Sequence, residues 1–199
     1  MPTLPGDPLD VYAVHMGTLS YTGLISLDGY YTDAAGGFDW AMPDDEVHAA
    51  VNDLERGVST MVLGRRLYET LVVWETLDLT DEPDVIVDYA RLWRDTDKVV
   101  YSSTLEDARS ARTRILPSFD ADELRTIVEQ SPGVTSIGGP TLAAHALRAG
   151  LVDEIHQFVS PVIVGGGTRF LPEDARLDLH LADTRAFGNG VVYSKYVRT

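Results

Sequence analysis

Strand-like segments rich in β-branched residues alternate with helical segments along most of the chain, and this alternation constrains the fold more than any other feature. We predict strands at 18–26, 60–63, 98–101, 112–116, 134–137, 154–164, 177–181 and 191–197. Predicted helices cover 43–56, 65–72, 83–94, 120–130 and 141–149, and 27–42 is a predicted loop rich in Gly and Asp. Strands that alternate with helices form parallel sheets covered on both faces, so we expect a mostly parallel sheet that finishes with antiparallel strands.

The composition is that of a soluble globular protein. The 199 residues suit one domain with a real core, and we expect a single domain over 1–199 with a flexible tail at 1–10. That tail has neither the basic start nor the apolar stretch of a signal peptide, and no apolar run approaches the ~20 residues that span a bilayer. We therefore expect a cytoplasmic protein without membrane contact.

The absence of cysteine and the charge balance exclude several kinds of site. No disulfide, thiolate nucleophile or cysteine-ligated zinc is available, and the five histidines show no metal-ligand spacing, so we predict no metal site. The net charge of −15 disfavours nucleic acid and anionic membranes as partners. An anionic ligand must therefore be held by a local positive group.

The segment after the second predicted strand is the most informative. The strand ends at Gly64, and the next helix begins with Arg65 and Arg66. Two cations oppose the helix dipole there, and a bound phosphate would compensate them, because helix starts and guanidinium groups both favour phosphate. Alternatively, both side chains face solvent or pair with acids such as Glu69. We favour the anion site, because a glycine, a helix start and two arginines coincide.

Hydroxyl groups follow the predicted strand at 98–101. The hydroxyls of Ser102, Ser103 and Thr104 could hydrogen-bond a phosphate or a ribose. The alternative is structural, because Ser103 and Glu106 match the capping box of a short helix. The segment alone favours neither interpretation.

Two glycines follow the predicted strand at 134–137. Ile137 leads into Gly138 and Gly139, and the next helix has Pro140 in its first turn. Glycines let a pyrophosphate approach backbone amides, although the same residues also suit a plain tight turn.

All three segments lie at the carboxyl ends of predicted parallel strands, where open α/β sheets bind ligands. One crevice with two or three phosphate-binding walls suits a dinucleotide better than a mononucleotide. The Gly-x-Gly-x-x-Gly fingerprint and the P-loop pattern are both absent, so the predicted site is neither an ordinary Rossmann site nor a P-loop.

Five motifs in order resemble a known family. They are Ser26-x-Asp28-Gly29-Tyr30, Gly64-Arg65-Arg66-x-Tyr68-Glu69, Tyr101-Ser102-Ser103, Ile137-Gly138-Gly139, and Val152-Asp153-Glu154 through Gly165-Gly166-Gly167-Thr168-Arg169-Phe170. From about residue 17 to 198 the chain resembles the dihydrofolate-reductase-like fold, and most closely the reductase domain of the bifunctional riboflavin deaminase-reductases and its stand-alone relatives. The resemblance implies a three-layer α/β fold with a mostly parallel central sheet, antiparallel C-terminal strands and helices on both faces.

The resemblance also implies a cofactor. It indicates an NADPH-dependent reductase that transfers a hydride to a small heterocyclic (pteridine- or pyrimidine-like) or sugar-like substrate. By resemblance, segments 64–66 and 102–103 hold the 2′-phosphate and the neighbouring phosphate, 138–141 face the pyrophosphate, and 27–31 form a mobile loop over the nicotinamide. The predicted cofactor-binding residues are Leu27, Gly29, Gly64, Arg65, Arg66, Ser102, Ser103, Ile137, Gly138, Gly139, Pro140, Thr141 and Leu142.

An acid at the start of the first predicted helix is the predicted catalytic residue. The stretch from Trp40 to Asp45 resembles the Trp-x-x-Pro-x-Asp stretch of true dihydrofolate reductases, which places Asp45 at their substrate-binding acid, with Asp39 and Asp44 as alternatives. A functional Asp45 should be partly buried beside the crevice. Alternatively, Asp44 and Asp45 only stabilise the helix amino terminus. We predict substrate contacts for Trp40, Asp39 and Gln157.

Two departures from the folate enzymes widen the functional alternatives. Ala49 stands where they have an aromatic ring, and Ala143 where a tyrosine is expected, which argues against dihydrofolate as substrate. The second hypothesis is therefore an NADP(H)-binding module without catalysis. The third, the riboflavin-pathway reductase itself, needs a ribose-phosphate site, for which the arginines at 109, 112 and 114 are the candidate. Relatives with this fold are often dimers, and the long late strands could pair across a twofold axis, so we expect a homodimer.

Overall fold

The computed structural model describes residues 17–199, and within them no helix is long and apolar enough to cross a membrane. The predicted tail at 1–10 lies outside this range. The strands are β1 (Leu19–Ser26), β2 (Tyr30–Thr32), β3 (Val58–Gly64), β4 (Asp97–Tyr101), β5 (Thr113–Leu116), β6 (Val134–Gly138), β7 (Glu154–Ser160), β8 (Thr168–Arg169), β9 (Leu179–Ala186) and β10 (Val192–Arg198). The helices are α1 (Asp45–Glu55), α2 (Arg65–Leu71), α3 (Val73–Thr76), α4 (Asp84–Asp95), α5 (Ala121–Gln130) and α6 (Pro140–Arg148), with a 3₁₀ turn at Asp39–Ala41.

Eight strands form the central sheet, in the order β5-β4-β3-β6-β1-β7-β10-β9. Neighbours from β5 to β7 are parallel, and β10 runs antiparallel to both β7 and β9. The strands β2 and β8 form a separate antiparallel pair. The predicted mostly parallel sheet with antiparallel C-terminal strands is confirmed.

The sheet lies between two layers of helices because its strands bury alternate residues on opposite faces. Val62 of β3 packs in a core with α5 and α6. Its neighbours Met61 and Leu63 pack on the other face with Tyr68 of α2 and Trp93 of α4. Helix α1 packs against β7 and β10 in a third buried cluster.

β1 and β6 separate towards their carboxyl ends. Their register pairs only Leu19–Tyr21 with Thr135–Ile137. Beyond Tyr21, β1 remains paired with β7 as far as Ser26, and β6 remains paired with β3. The two strands also lead into helices on opposite faces, α1 and α6. The gap between them is therefore a topological switch point, where open α/β sheets bind ligands.

Several segments differ from the predictions. The strand predicted at 154–164 ends at Ser160, because Pro161 has no N–H for the ladder and the Val162 N–H turns back to the Ser160 carbonyl (2.8 Å). The loop predicted at 27–42 contains β2 and the 3₁₀ turn, since β2 pairs with the distant β8. Helix α3 was not predicted, and the strand predicted at 177–181 continues as β9 to residue 186.

β9 forms one edge of the sheet, and most of its residues are exposed. The Phe187 N–H donates inward to Val191 (2.9 Å), so by alternation the Thr184 N–H faces away from β10. The carboxylate of Asp183 accepts that N–H at 2.8 Å. The Asp183 side chain therefore covers one backbone donor of the open edge.

One charged side chain is buried near the amino end of the sheet, and a second is partly buried there. Lys98 at the start of β4 is 1% exposed, and its Nζ donates to the carbonyls of Trp93 (2.6 Å) and Thr96 (2.8 Å) at the end of α4. Glu55 ends α1, and its Oε2 is covered without a hydrogen-bond partner among residues 17–199. Burial raises the pKa of Glu55 to about 7.

Candidate functional site

The three predicted strand ends meet at one edge of the sheet. In the register, Gly64 of β3 lies beside Tyr101 of β4, and Leu63 lies beside Gly138 of β6. The residues that follow these strands therefore come together as the sequence predicted.

A cleft of about 330 Å³ lies at this edge. Five predicted residues line it, namely Arg65, Ser102, Ser103, Thr141 and Leu142. Thr104, whose hydroxyl was also predicted to be available to a ligand, lines the cleft as well, whereas the sequence analysis missed Tyr101, Pro117, Ser118, Phe119 and His145. Residues 117–119 follow β5, which is parallel to β4, so the strand-end reasoning applied to β5 would have found them.

The turn after β6 requires glycine at two positions. A Cβ atom on Gly138 would lie 2.6 Å from the Leu67 side chain, so glycine allows α2 to pack closely on β6. Gly139 has φ +91°, which favours glycine, and precedes Pro140 at the start of α6. A Cβ atom on Gly139 would lie 3.9 Å from the backbone nitrogen of Gly64, so the turn before α6 lies close to the start of α2. It therefore has both a packing role and an exposed helix start.

The two arginines after β3 differ in their contacts. The Arg65 Nε donates to a Glu69 carboxylate oxygen at 2.8 Å, and its Nη1 donates to the Thr104 hydroxyl. Arg66 is exposed and forms no ion pair with any residue between 17 and 199. Both arrangements match the structural alternative, since Arg65 pairs with an acid and Arg66 faces solvent, and the anion site stays a prediction.

Ser102 shapes the loop after β4. Its Oγ accepts the N–H groups of Thr104 (3.2 Å) and Leu105 (2.9 Å), while Ser103 is exposed. The capping box of Ser103 with Glu106 is not found, because no helix begins in this segment. The Ser102 hydroxyl already accepts two backbone amides, whereas the exposed Ser103 hydroxyl remains available to a ligand.

Aromatic side chains form the floor of the cleft. The rings of Phe119 and His145 are stacked with centroids 5.3 Å apart, and Tyr101 packs against Phe119. Tyr101 is 7% exposed, and its hydroxyl has no hydrogen-bond partner in the described part of the chain. Burial raises the pKa of Tyr101 to about 12, and the nearby Glu123 carboxylate adds to this shift.

Hydrogen bonds fasten the segment 27–31 to the segment 162–170. Leu27 is exposed, and its N–H donates to a carbonyl of that segment (2.8 Å). Asp28 accepts two amides there, at 2.8 and 3.2 Å, and Gly29 accepts another at 3.0 Å. The Ser26 hydroxyl and these amides lower the pKa of Asp28. The loop that the resemblance implies to be mobile is therefore tied to its neighbour at several points.

The acids at the start of α1 have separate structural positions. Asp44 is the N-cap, and its Oδ1 accepts the Val47 N–H at 3.0 Å. Asp45 occupies the first turn and is exposed, whereas we expected a functional Asp45 to be partly buried. The predicted capping role is thus confirmed for Asp44, and the catalytic role of Asp45 stays a prediction.

The predicted substrate residues do not line the cleft. Trp40 and Asp39 lie in the 3₁₀ turn, which packs against β1. Asp39 is exposed, while the Trp40 Nε1 is covered and has no acceptor within residues 17–199. Gln157 lies on β7 beside Gly23 of β1, away from the ends of β3, β4 and β6.

A family model for the RibD C-terminal domain matches residues 18–193. The chain belongs to this family. The match confirms the resemblance to the reductase domain of the deaminase-reductases. It covers every strand end that contributes to the cleft.

Individual relatives of this RibD C-terminal domain protein agree with the family match. YyaP of Bacillus subtilis (strain 168), an uncharacterized protein, is 26% identical over 176 residues, which cover 86% of this chain and 90% of YyaP. A pyrimidine reductase-like protein from Corynebacterium diphtheriae is 18% identical, with a TM-score of 0.63 over 92% of each chain. Dihydrofolate reductase from Enterococcus faecalis, complexed with NADP(H), is 17% identical, with a TM-score of 0.61 over 92% of this chain and 98% of that one. The predicted dihydrofolate-reductase-like fold is confirmed.

Proposed function

We propose that this protein is an NADPH-dependent reductase that transfers a hydride to a small pteridine- or pyrimidine-like heterocycle. One observation carries the proposal: the glycines, arginines and hydroxyls after β3, β4 and β6 meet beside one cleft. The family match and the fold shared with a dihydrofolate reductase complexed with NADP(H) support it.

The cleft suits the adenosine end of NADPH. Phe119 and His145 offer a flat surface to a planar ring. Arg66 and Ser103 are exposed and free to bind the 2′-phosphate. The turn before α6 would face the pyrophosphate with its backbone amides.

The gap between β1 and β6 suits the nicotinamide end. Bound NADPH would supply the hydride, so the protein has to orient the substrate and exclude water. Two observations support a role for Trp40 here: its turn packs against β1, and its covered Nε1 has no acceptor among residues 17–199. We propose that the Trp40 Nε1 donates a hydrogen bond to the substrate heterocycle.

The contacts of nearby arginines favour a substrate without a phosphate. Arg169 lies on β8, which pairs with β2, the strand that follows β1 in the chain. Its guanidinium already forms an ion pair with Glu173 (3.1 Å). Arg185 pairs with Glu46 in the first turn of α1 (2.6 Å). The arginines at 109, 112 and 114 lie in β5 or in the segment before it, at the edge of the sheet and away from β1 and β6, and the one at 112 pairs with Asp97 (3.0 Å). The riboflavin-pathway reductase, which needs a ribose-phosphate site, therefore ranks below a reductase of an unphosphorylated ring.

The exposure of Asp45 favours a second candidate, an NADP(H)-binding module without catalysis. Such a protein would bind NADPH but oxidise none of it. A panel of pterins, pyrimidines and carbonyl compounds separates the two candidates, because turnover of any one of them excludes the binding module.

Thermal unfolding with NADPH, with NADH and without ligand tests the cofactor site. A ligand that binds only the folded state adds about 2.7 kcal/mol at a hundredfold excess over Kd. For a chain of this size we expect a rise in Tm of roughly 5–10 °C with NADPH and a smaller rise with NADH. No shift with either dinucleotide would contradict the proposal.

The Arg66→Ala variant tests the assigned phosphate contact. We expect its Kd for NADPH to rise about tenfold, because a charge-assisted contact is lost, and its Kd for NADH to stay within twofold. Arg125→Ala is the matched control, since it removes an exposed arginine from α5. Equal weakening in both variants would show that only the overall charge matters.

A further inference from the structure

Arg65 is already engaged by an anion that belongs to the protein. Its guanidinium lies 2.8 Å from the Glu69 carboxylate and donates on its other side to the Thr104 hydroxyl. The Arg65 and Glu69 side chains are 46% and 33% exposed; Arg65 lines the cleft, and Glu69 lines a second cleft that Arg65 also borders. A phosphate that approaches Arg65 therefore meets a carboxylate at the same guanidinium.

Helix stability alone gives little reason for this pair. Arg65 precedes Glu69 by one turn, and this order is less favourable than glutamate before the cation. The helix α2 has seven residues, and Glu69 lies in its second half, where the dipole favours cations. Through its hydrogen bond to Thr104, Arg65 connects α2 to the loop after β4. Arg65 and Thr104 line both the first cleft and the second cleft, of about 320 Å³, which Glu69 and Glu106 also line.

We propose that Glu69 is a specificity-determining residue that competes with the cofactor's 2′-phosphate for Arg65. This inference rests on the proposed function, because it concerns the same dinucleotide site. The Glu69 carboxylate occupies Arg65 in the free protein and repels an incoming phosphate, whereas Arg66 stays unengaged. Glu69 thereby limits the preference of the protein for NADPH over NADH, which has no 2′-phosphate.

The substitution Glu69→Gln keeps the size and the acceptor oxygen of the side chain while it removes the charge. We expect the Kd for NADPH to fall about fivefold, since an exposed ion pair no longer competes, and the Kd for NADH to change less than twofold. The gain should shrink as salt is raised from 50 mM to about 0.5 M, because screening weakens the competing charge. Unliganded melting curves confirm that the variant is folded.

Glu106→Gln is the matched control. It removes the same charge from the wall of the second cleft, but Glu106 makes no contact with Arg65 within the described residues. A fivefold gain in Glu69→Gln with less than a twofold gain in Glu106→Gln supports the inference. Equal gains in the two variants, or an equal gain for NADPH and NADH, would overturn it, because general charge would then explain the effect.

The outcomes also separate this inference from the proposed function. Wild-type protein that binds NADPH, with no tighter binding in Glu69→Gln, would overturn the role of Glu69 alone. Failure of both the wild type and Glu69→Gln to bind either dinucleotide would overturn both proposals.

Discussion

The two ends of the central sheet use charged side chains in opposite ways. At the amino end, Lys98 is buried and its ammonium group serves two backbone carbonyls, and Glu55 is covered near the end of α1. At the carboxyl end, Arg66 and Ser103 are exposed, and Arg65 is held by one exposed acid. Groups at the first end are committed to the fold, whereas those at the second remain available.

This difference distinguishes polar residues that serve folding from polar residues that can serve binding. A buried cation that donates to backbone carbonyls stabilises the structure, and its loss leaves those carbonyls unpaired. An exposed cation at a strand end contributes little to stability and keeps its hydrogen bonds for a ligand. Substitutions at the two ends should therefore separate stability from binding.

The largest effect is expected for Lys98→Met. The variant leaves the Trp93 and Thr96 carbonyls at the end of α4 without their donor, so we expect the free energy of unfolding to fall by about 3 kcal/mol. Denaturant unfolding measures this loss. The Kd for NADPH should stay unchanged in the folded variant, and a loss below about 1 kcal/mol would show that the two carbonyls find other partners.

The substitution Glu55→Gln tests the other buried charge through pH. Burial raises the pKa of Glu55 from its ordinary 4.5 to about 7, so the folded protein keeps a proton that the unfolded chain releases. This group therefore lowers stability as pH rises from about 4.5 to 7, by up to about 3 kcal/mol. The difference in unfolding free energy between Glu55→Gln and wild type should grow in favour of the variant between pH 4 and pH 8. A difference that stays constant with pH would refute this account.

The order of strands and helices along the chain could be predicted, because each element depends on a local sequence pattern. The strands that end at Gly64, Tyr101 and Gly138 are short apolar runs followed by turn residues, and parallel pairing brings their ends together. The β2–β8 pair could not be predicted, because it joins segments more than 130 residues apart that have no strand pattern of their own. The early end of β7 was marked by Pro161 and could have been anticipated.

The candidate site was predictable where it depends on strand ends and not where it depends on side-chain partners. The sequence named Arg65 and Arg66 together, but only the structure shows that Glu69 engages one of them. Two alternatives, a catalytic acid or a residue that stabilises the helix amino terminus, were predicted for both Asp44 and Asp45. The hydrogen bond from the Val47 N–H shows that Asp44 is the N-cap. Phe119 could have been found from the end of β5, whereas His145 could not, since its stacking on a distant ring leaves no local pattern.

The smallest effects are expected at the start of α1, where two adjacent acids differ. Asp44→Ala should lower the unfolding free energy by about 1 kcal/mol, because the α1 N-cap is lost. Asp45→Ala should change stability by less than about 0.5 kcal/mol, since Asp45 is exposed. If Asp45 is the catalytic acid, its variant alone will lose turnover while it still binds NADPH. Equal losses of stability in the two variants would contradict the assignment of Asp44 as the cap.

The Asp183 contact on β9 governs how the protein meets copies of itself. An edge strand with free backbone donors is a template for uncontrolled stacking, and the carboxylate over the Thr184 amide removes one of those donors. A homodimer joined through the late strands would have to displace this carboxylate, so such pairing carries a built-in resistance.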